Sequence, residues 1–351
     1  MADSAVFFGD IEPELQRIIA CLGPSKVFVI TDDNTRRLCL PLLRMPTEAV
    51  VLSTPPGDEN KTLDAAASLW RRLGDNGATR SSLTLCLGGG MVTDLGGFVA
   101  STYMRGMPYV NVPTTLLGAV DAATGGKTGI NFDGMKNMVG VFASPVATLV
   151  STRFLGTLPR HELLSGYAEM LKHALLSSPE ALDAILEFDP TVEPTSQRML
   201  KLLQENIAVK QRIVAADPTE HGIRKSLNLG HTAGHALEAL AMERGNSEGH
   251  GFAVARGLVV ELVLSHFAER MPSSVLYRVA DFVRRTYGPG HISCDDYPRL
   301  LTLMSHDKKN SSPDAINFTL LSAPGNVHIN RTIPQEEIAA ALDVYRDLMG
   351  I

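Results

Sequence analysis

Two histidines four residues apart stand in Asn228-Leu-Gly-His-Thr-Ala-Gly-His235, and a third, His250, follows fifteen residues later in Gly249-His250-Gly251. On a helix, His231 and His235 share one face. Asn228, three residues before His231, and Glu238, three after His235, fall on the same stripe. A core-facing stripe is normally apolar, and this one is polar throughout. Gly230 and Gly234 keep the backbone bare beside it, which suits close approach by a ligand. Isolated histidines in such a stripe are most often core residues with satisfied hydrogen bonds. A second predicted helix, running on from Glu162, changes that reading. It places Glu169, Lys172 and His173 at i, i+3 and i+4, with small Gly166 and Ala168 around the glutamate. A solvated Glu169–Lys172 pair is the plain alternative there. One carboxylate and two imidazoles, Glu169, His231 and His250, make a ligand set of the catalytic zinc type. His235, one turn beyond, would stand beside the metal or on the substrate. Such a metal polarises a hydroxyl or carbonyl, and next to a nicotinamide it supports alcohol oxidation.

The cations point to a second kind of recognition. Arg105, Lys127 and Lys136 gather near glycine turns in an acidic chain, with Asp121-Ala-Ala-Thr-Gly-Gly-Lys127 and Lys136-Asn137 forming the densest polar stretch. That grouping favours an anionic, phosphorylated ligand, although a lone lysine in such a loop is usually just solvated. Gly88-Gly89-Gly90, ahead of a helix, resembles a dinucleotide-binding turn without matching G-x-G-x-x-G, and a plain tight turn explains it equally. Asp32, after an earlier strand, suits either a ribose hydroxyl or a helix cap. Gly96-Gly97 inside the helix costs roughly 1 kcal/mol each relative to Ala, which implies that something packs close against that turn.

These residues need elements to position them. Lys26–Thr31, Val50–Ser53, Leu83–Leu87 and Tyr109–Val112 are short apolar runs of the kind that form buried parallel strands, each ending in a polar cluster. Alternation with helical stretches gives a doubly wound α/β pattern, whose ligands bind at the carboxyl ends of the strands. From Leu158 the strand signal fades. Met199–Ala216 is a predicted helix carrying Lys210, and Asp217-Pro218 ends it before a short loop with Arg224. Gly251–Leu264 is a predicted buried helix, Ile316–Leu321 a possible extra strand, and Pro334–Leu348 a closing helix. Asp307-Lys308-Lys309-Asn310 reads as a charged loop.

Composition narrows the classes. At 351 residues the chain exceeds one ordinary core, so two domains are expected, 1–157 and 158–351. A net charge of −6 argues against non-specific nucleic-acid binding, which needs a basic surface. The four cysteines, Cys21, Cys39, Cys86 and Cys294, have no C-x-x-C spacing, so neither a disulfide framework nor a cysteine zinc site is expected. No signal-peptide pattern and no run of 18 apolar residues occurs, and a soluble cytoplasmic protein without membrane partners is expected.

In their order along the chain, the motifs resemble the 3-dehydroquinate synthase family of sugar-phosphate cyclases. The resemblance rests on Pro55-Pro-Gly-Asp-Glu-Asn-Lys61, Gly88-Gly-Gly-Met-Val-Thr-Asp-Leu95, Pro113-Thr-Thr-Leu-Leu117, Asp121…Gly125-Gly-Lys-Thr128, Lys136-Asn137 and Glu169-Met-Leu-Lys172. It continues through Arg224…Leu227-Asn-Leu-Gly-His231…His235, His250-Gly251 and Asp307-Lys-Lys-Asn310. It implies an N-terminal Rossmann-like α/β domain that binds NAD, an all-α C-terminal domain, an active site in the cleft between them, and a homodimer. Zn²⁺, or Co²⁺, is implied on Glu169, His231 and His250.

By the same resemblance, NAD would meet Asp32, Asn34, Pro56, Gly57, Asp58, Lys61, Gly89, Gly90, Asp94, Thr114, Thr115, Lys127, Lys136 and the turn holding Phe154, Leu155 and Thr157. A small-molecule sugar phosphate would meet Arg105, Asp121, Lys127, Asn137, Lys172, Lys210, Arg224, Asn228, His235 and one of Lys308 or Lys309. The implied reaction converts 3-deoxy-D-arabino-heptulosonate 7-phosphate into 3-dehydroquinate and phosphate. It runs through transient oxidation at C5, phosphate elimination, re-reduction, ring opening and an intramolecular aldol step. Two departures stand out. Asp58 replaces the family's usual Glu, which should keep the hydrogen bond with a shorter reach. Phe252 replaces the Glu that usually follows His-Gly, which should alter packing near the metal rather than the chemistry.

Overall fold

The computed structural model describes residues 5–45, 48–246, 248–305 and 315–351. Asp307, Lys308, Lys309 and Asn310 lie outside the described residues. The chain packs as two compact units, Met1–Leu163 with Thr191–Gln211, and Leu164–Pro190 with Arg212–Ile351. It therefore passes three times from one unit to the other, where the expected division was a single cut after residue 157. The reason is the segment Thr191–Gln211, which packs on the first unit. Thr195 accepts a bond from Thr152 Oγ1 (3.4 Å), and Leu200 meets the bare backbone of Gly9.

The first unit runs β1 (Ala5–Phe8), α1 (Glu12–Leu22), β2 (Val27–Asp32), α2 (Asp33–Leu38), β3 (Val50–Thr54), α3 (Leu63–Asp75), β4 (Leu83–Gly88), α4 (Gly90–Thr102), β5 (Tyr109–Pro113), β6 (Lys127–Phe132), β7 (Met135–Phe142) and β8 (Ala147–Val150). Six strands form one sheet in the order β1-β8-β5-β4-β2-β3, and every pairing in it is parallel. Alternation along the central strands builds two cores. Phe28, Ile30 and Cys86 face α3 and α4, packing on Leu69, Leu95 and Val99. Val27, Val29, Leu83, Leu85 and Leu87 face the other way, onto Leu15 and Ile18 of α1 and onto Phe154. Burial on both faces explains why these strands read as unbroken apolar runs.

The strand order reverses between β2 and β4, so the crevice for a ligand opens at their carboxyl ends, where Asp32 and Gly88–Gly90 lie. The two glycines inside α4 have the expected cause. A Cβ on Gly96 would stand 2.6 Å from Cys86 Sγ, and one on Gly97 2.6 Å from Thr128 Cγ2. The helix thus rides close over the sheet and over the β6–β7 hairpin. That hairpin turns at Asp133-Gly134, both at positive φ (50° and 75°), the primed turn that suits strand twist.

Two helices cross from one unit to the other, α5 (Arg160–Leu175) and α7 (Gln197–Ala216), and α6 (Pro179–Leu186) lies between them in sequence. The second unit continues with α8 (His231–Glu243), α9 (His250–Glu269), α10 (Ser273–Tyr287), α11 (Tyr297–Ser305), β9 (Ala315–Ala323), β10 (Asn326–Pro334) and α12 (Gln335–Met349). It is helical as expected, with the antiparallel β9–β10 hairpin added; the Ile316–Leu321 run lies within β9. The α9 helix is the only one among the described residues with the length and composition to cross a membrane, and it is buried at the centre of this unit. Its apolarity follows from being packed on all sides. It crosses α8 at glycines: a Cβ on Gly257 would stand 2.2 Å from Gly230 O and 2.5 Å from Gly234 N.

Candidate functional site

The second unit carries a convergence of lone pairs. Glu169, on α5, is fully buried, and its Oε1 has no hydrogen-bond partner among the described residues. His231 opens α8 and His250 opens α9; their Nε2 atoms lie 3.3 and 3.7 Å from Glu169 Oε1. The other nitrogen of each ring is already engaged. His231 Nδ1 lies 3.1 Å from Leu229 O, which can only accept, so Nδ1 carries the proton and Nε2 a lone pair. His250 Nδ1 meets Glu238 Oε2 at 3.0 Å, with the same consequence. Burial, with Lys172 and His250 close by, outweighs the pull of Glu169 and keeps the His231 imidazole below its ordinary pKa, hence neutral. Burial works against the charge of Glu169 as well, but the Lys172 ammonium holds its carboxyl well below the usual range. Three acceptors facing one point form a set that could hold a cation.

Around that point, His235 adds a third, exposed imidazole; the three rings form a triangle with centroids 5.3, 5.4 and 5.6 Å apart. Each ring offers a nitrogen within 4.8 Å of the others. Lys172, also buried, pairs with Glu169 Oε2. Close approach of α5 and α9 comes from Gly251, where a Cβ would stand 2.1 Å from Ser165 O. Arg224 is buried in the loop before α8, its Nη1 donating to Pro218 O (2.7 Å) and its backbone N–H to Asp217 Oδ2 (3.1 Å). Asn228 lies one turn before His231 and lines a cavity of about 280 Å³ with Lys225, Thr232, Asn317, Thr319 and Asn330. Phe252 makes an edge contact with Tyr287 (5.3 Å) and lies under the Arg256 guanidinium.

The first unit collects a different set around one lysine. Lys61 is buried, and its Nζ donates to Asn137 Oδ1 at 2.7 Å and Asp94 Oδ2 at 3.1 Å, with Asp58 Oδ1 also at 3.1 Å. The Asp58 carboxylate is thus engaged by Lys61. Burial acts to discharge the ammonium, but Asp94 and Asp58 outweigh it and raise its pKa. The Asp94 carboxyl is pushed up to about 6 by burial, with Lys61 opposing. That value still lies below neutrality, so we read the pair as ionised at pH 7. Asn137 sits in β7 at positive φ (53°), its N–H donating to Asn131 Oδ1 (3.0 Å) while Asn131 Nδ2 donates to Asp58 O (2.8 Å). Asn131 thus ties the Asp58 loop to the hairpin. Sequence reading missed it, and the only available signal is an asparagine just before the Asp-Gly turn.

Beside this cluster, α4 begins at Gly89 with no side-chain cap. A Cβ there would stand 2.9 Å from Thr115 Cγ2, one on Gly90 3.1 Å from Ala122 Cβ, and one on Gly118 3.2 Å from Gly90 N. The result is a bare helix N-terminus of the kind that accepts a pyrophosphate. Thr114 is buried with its N–H on Gly88 O (2.9 Å), and Thr115 Oγ1 caps Gly118 N (3.0 Å). The Asp32 carboxylate caps α2 through Oδ1, which accepts from Thr35 N (2.8 Å), in a capping box at the switch point. Asn34 follows exposed in α2, and Pro56 and Gly57 form the exposed turn after β3. Phe154 and Leu155 are buried, leaving backbone and Thr157 as the polar part of that turn.

Lys210 is buried on the first-unit part of α7, and its Nζ bonds both Asp121 O and Asp121 Oδ1 at 2.5 Å. Lys127 begins β6 and Lys136 lies in β7, both exposed. Arg105 is exposed at positive φ (71°) in the turn after α4.

A parallel sheet with a glycine-lined helix start at its switch point, together with a helical unit bearing a carboxylate–imidazole cation site, defines a fold class shared by cyclases and dehydrogenases. The 2-epi-5-epi-valiolone synthase of Streptomyces hygroscopicus, solved with NAD⁺ and Zn²⁺ bound, superposes with a TM-score of 0.82 at 25% identity, covering 99% of this chain and 98% of that one. The iron-containing alcohol dehydrogenase of Corynebacterium glutamicum has the same fold at a TM-score of 0.65 and 15% identity, covering 98% and 94%. Family models described as 3-dehydroquinate synthase N-terminal and C-terminal match residues 51–165 and 166–310. The 3-dehydroquinate synthase of Parabacteroides distasonis is 45% identical over 97% of each chain. This chain belongs to the 3-dehydroquinate synthase family, a family of enzymes.

Proposed function

We infer that this protein is a 3-dehydroquinate synthase, converting 3-deoxy-D-arabino-heptulosonate 7-phosphate into 3-dehydroquinate and phosphate as a phosphate-eliminating lyase. The observation that carries this is the full-length match at 45% identity to a curated synthase. The metal-type site on Glu169, His231 and His250 and the glycine-lined start of α4 support it. Bound NAD would supply a reversible hydride acceptor, and Zn²⁺ or Co²⁺ a positive charge for developing alkoxide.

The chain's own groups do the rest. Glu169, His231 and His250 hold the cation, and Glu238 fixes the His250 tautomer. Gly89 and Gly90 open the backbone to pyrophosphate, while the Lys61–Asp58–Asp94 cluster, Asp32 and the Thr114-Thr115 turn line the dinucleotide crevice. Lys172, Lys210 and Arg224 supply fixed cations for the carboxylate and phosphate of a sugar phosphate. Each is already held by a protein acceptor, so little reorganisation is needed on binding. Asp121, Asn137, Asn228 and His235 offer neutral or acidic partners for hydroxyls, and Arg105, Lys127 and Lys136 further cations. We take the protein to be a cytoplasmic homodimer, and the apolar surface exposed on the β6–β7 hairpin (Phe132, Met138, Phe142) supports the dimer.

The test is incubation with the heptulosonate phosphate, catalytic NAD⁺ and Zn²⁺, following phosphate and dehydroquinate together. Equal release of both with no net growth of the NADH band is expected, because the hydride returns to the same substrate. NADH accumulating in proportion to product would identify a dehydrogenase instead.

A further inference from the structure

Glu261 lies eleven residues after His250 on α9, fully buried, and takes no part in the roles described above. Its Oε2 accepts the N–H of Gly230 at 2.6 Å and its Oε1 that of Ala233 at 3.1 Å. These are open donors at the start of α8, where Gly230 has no side chain to cap the helix. A carboxylate borrowed from the neighbouring helix does the capping, and its charge suits the positive end of α8. The two amides bracket His231, one residue before it and two after. Gly230 sits at φ 78°, directly after Leu229, whose carbonyl fixes the His231 ring. A Cβ on Gly230 would stand 2.6 Å from Leu258 Cδ2, so the backbone cannot shift there without disturbing α9.

We propose that Glu261 is a positioning residue for the metal site: it locks the start of α8 to α9, and so sets the spacing of His231 and His250. The inference rests on reading Glu169, His231 and His250 as metal ligands. Its test measures metal binding alone, without substrate. Zn²⁺ affinity is taken from chelator competition, and the visible spectrum is recorded after loading Co²⁺, on the full chain. Glu261→Gln leaves one acceptor and turns an NH₂ toward an amide N–H. It should keep a cooperative melt while losing roughly 10- to 100-fold in Zn²⁺ affinity, with an altered Co²⁺ band. Glu261→Asp, which retains the charge with shorter reach, should lose less and serves if the Gln variant does not fold. Ser265→Ala removes a hydroxyl one turn along α9 that bonds Glu261 O and Leu321 N, away from α8. It should lower stability and leave metal affinity unchanged. A folded Glu261 variant binding Zn²⁺ within about threefold of wild type, with the same Co²⁺ spectrum, overturns the proposal. Wild-type protein that binds neither ion overturns the metal reading itself, and this inference with it.

Discussion

Around Lys61 the protein supplies both sides of every contact: ammonium, two carboxylates and the Asn137 amide meet at 2.7 to 3.1 Å, with Asn131 tying their loops together. Around His231 and His250 the groups that converge are acceptors, two imidazole Nε2 atoms 3.3 and 3.7 Å from one buried carboxylate oxygen. The first arrangement is complete as a folded structure, and a dinucleotide would dock onto it. The second, on the metal reading proposed above, is completed by what binds. Loss of a group should therefore be felt as stability in the first region and as metal content in the second.

His250→Ala breaks the comparison most severely. The variant should fold, fail to hold stoichiometric Zn²⁺, and lose turnover by roughly 10³-fold or more. Elemental analysis of the purified protein checks this, and full zinc occupancy would show that His250 is no ligand.

Lys61→Met should act the opposite way, on stability first. It leaves Asp94 and Asp58 facing each other without a cation, at a cost of about 3 kcal/mol in denaturant unfolding. The dependence on pH has a definite sign. Asp94 already titrates above its ordinary 3.8, so its folded form favours the proton, and its contribution to stability declines as pH rises through about 6. Without Lys61 that carboxyl moves higher still, so the deficit should widen as pH rises above about 6. A deficit independent of pH would mean that Asp94 is not the group left exposed to burial. Adding Asp94→Asn should restore part of the loss.

Asn131→Ala is the mildest test. It removes neutral hydrogen bonds between the Asp58 loop and the hairpin, so about 1 kcal/mol of stability and a few-fold weaker NAD binding are expected, with Zn²⁺ content untouched. Calorimetric titration with NAD⁺ reads the second effect.

The parts legible in the sequence were those in which one residue type repeats at the period of its element. Strands β2, β4 and β5 showed as apolar runs because both faces are buried, and His231 and His235 as one face of α8. The β6–β7 hairpin gave no strand signal because β7 is exposed along its whole length and has no alternation to detect. Gly129 and Gly140 also weaken its strand character, and both are needed, since a Cβ on Gly140 would stand 2.2 Å from Thr128 O. Asn131 and Glu261 escaped notice for a related reason. Their partners are backbone amides and carbonyls far along the chain, and no spacing rule reports those. In the sequence, Glu261 appears only as an interruption of an apolar helix.

The threefold passage of the chain between units bears on how the protein is made. The first unit needs Thr191–Gln211, because Lys210 reaches Asp121 and Thr195 meets Thr152 from that segment. During synthesis, Leu164–Pro190 must leave the ribosome before those residues do. The sheet with its six strands will have emerged by then, yet its unit stays open until residue 211 appears. A fragment ending near residue 157 would expose the surface that Thr191–Gln211 covers. Separate expression of the two halves should accordingly yield aggregates, while the intact chain folds.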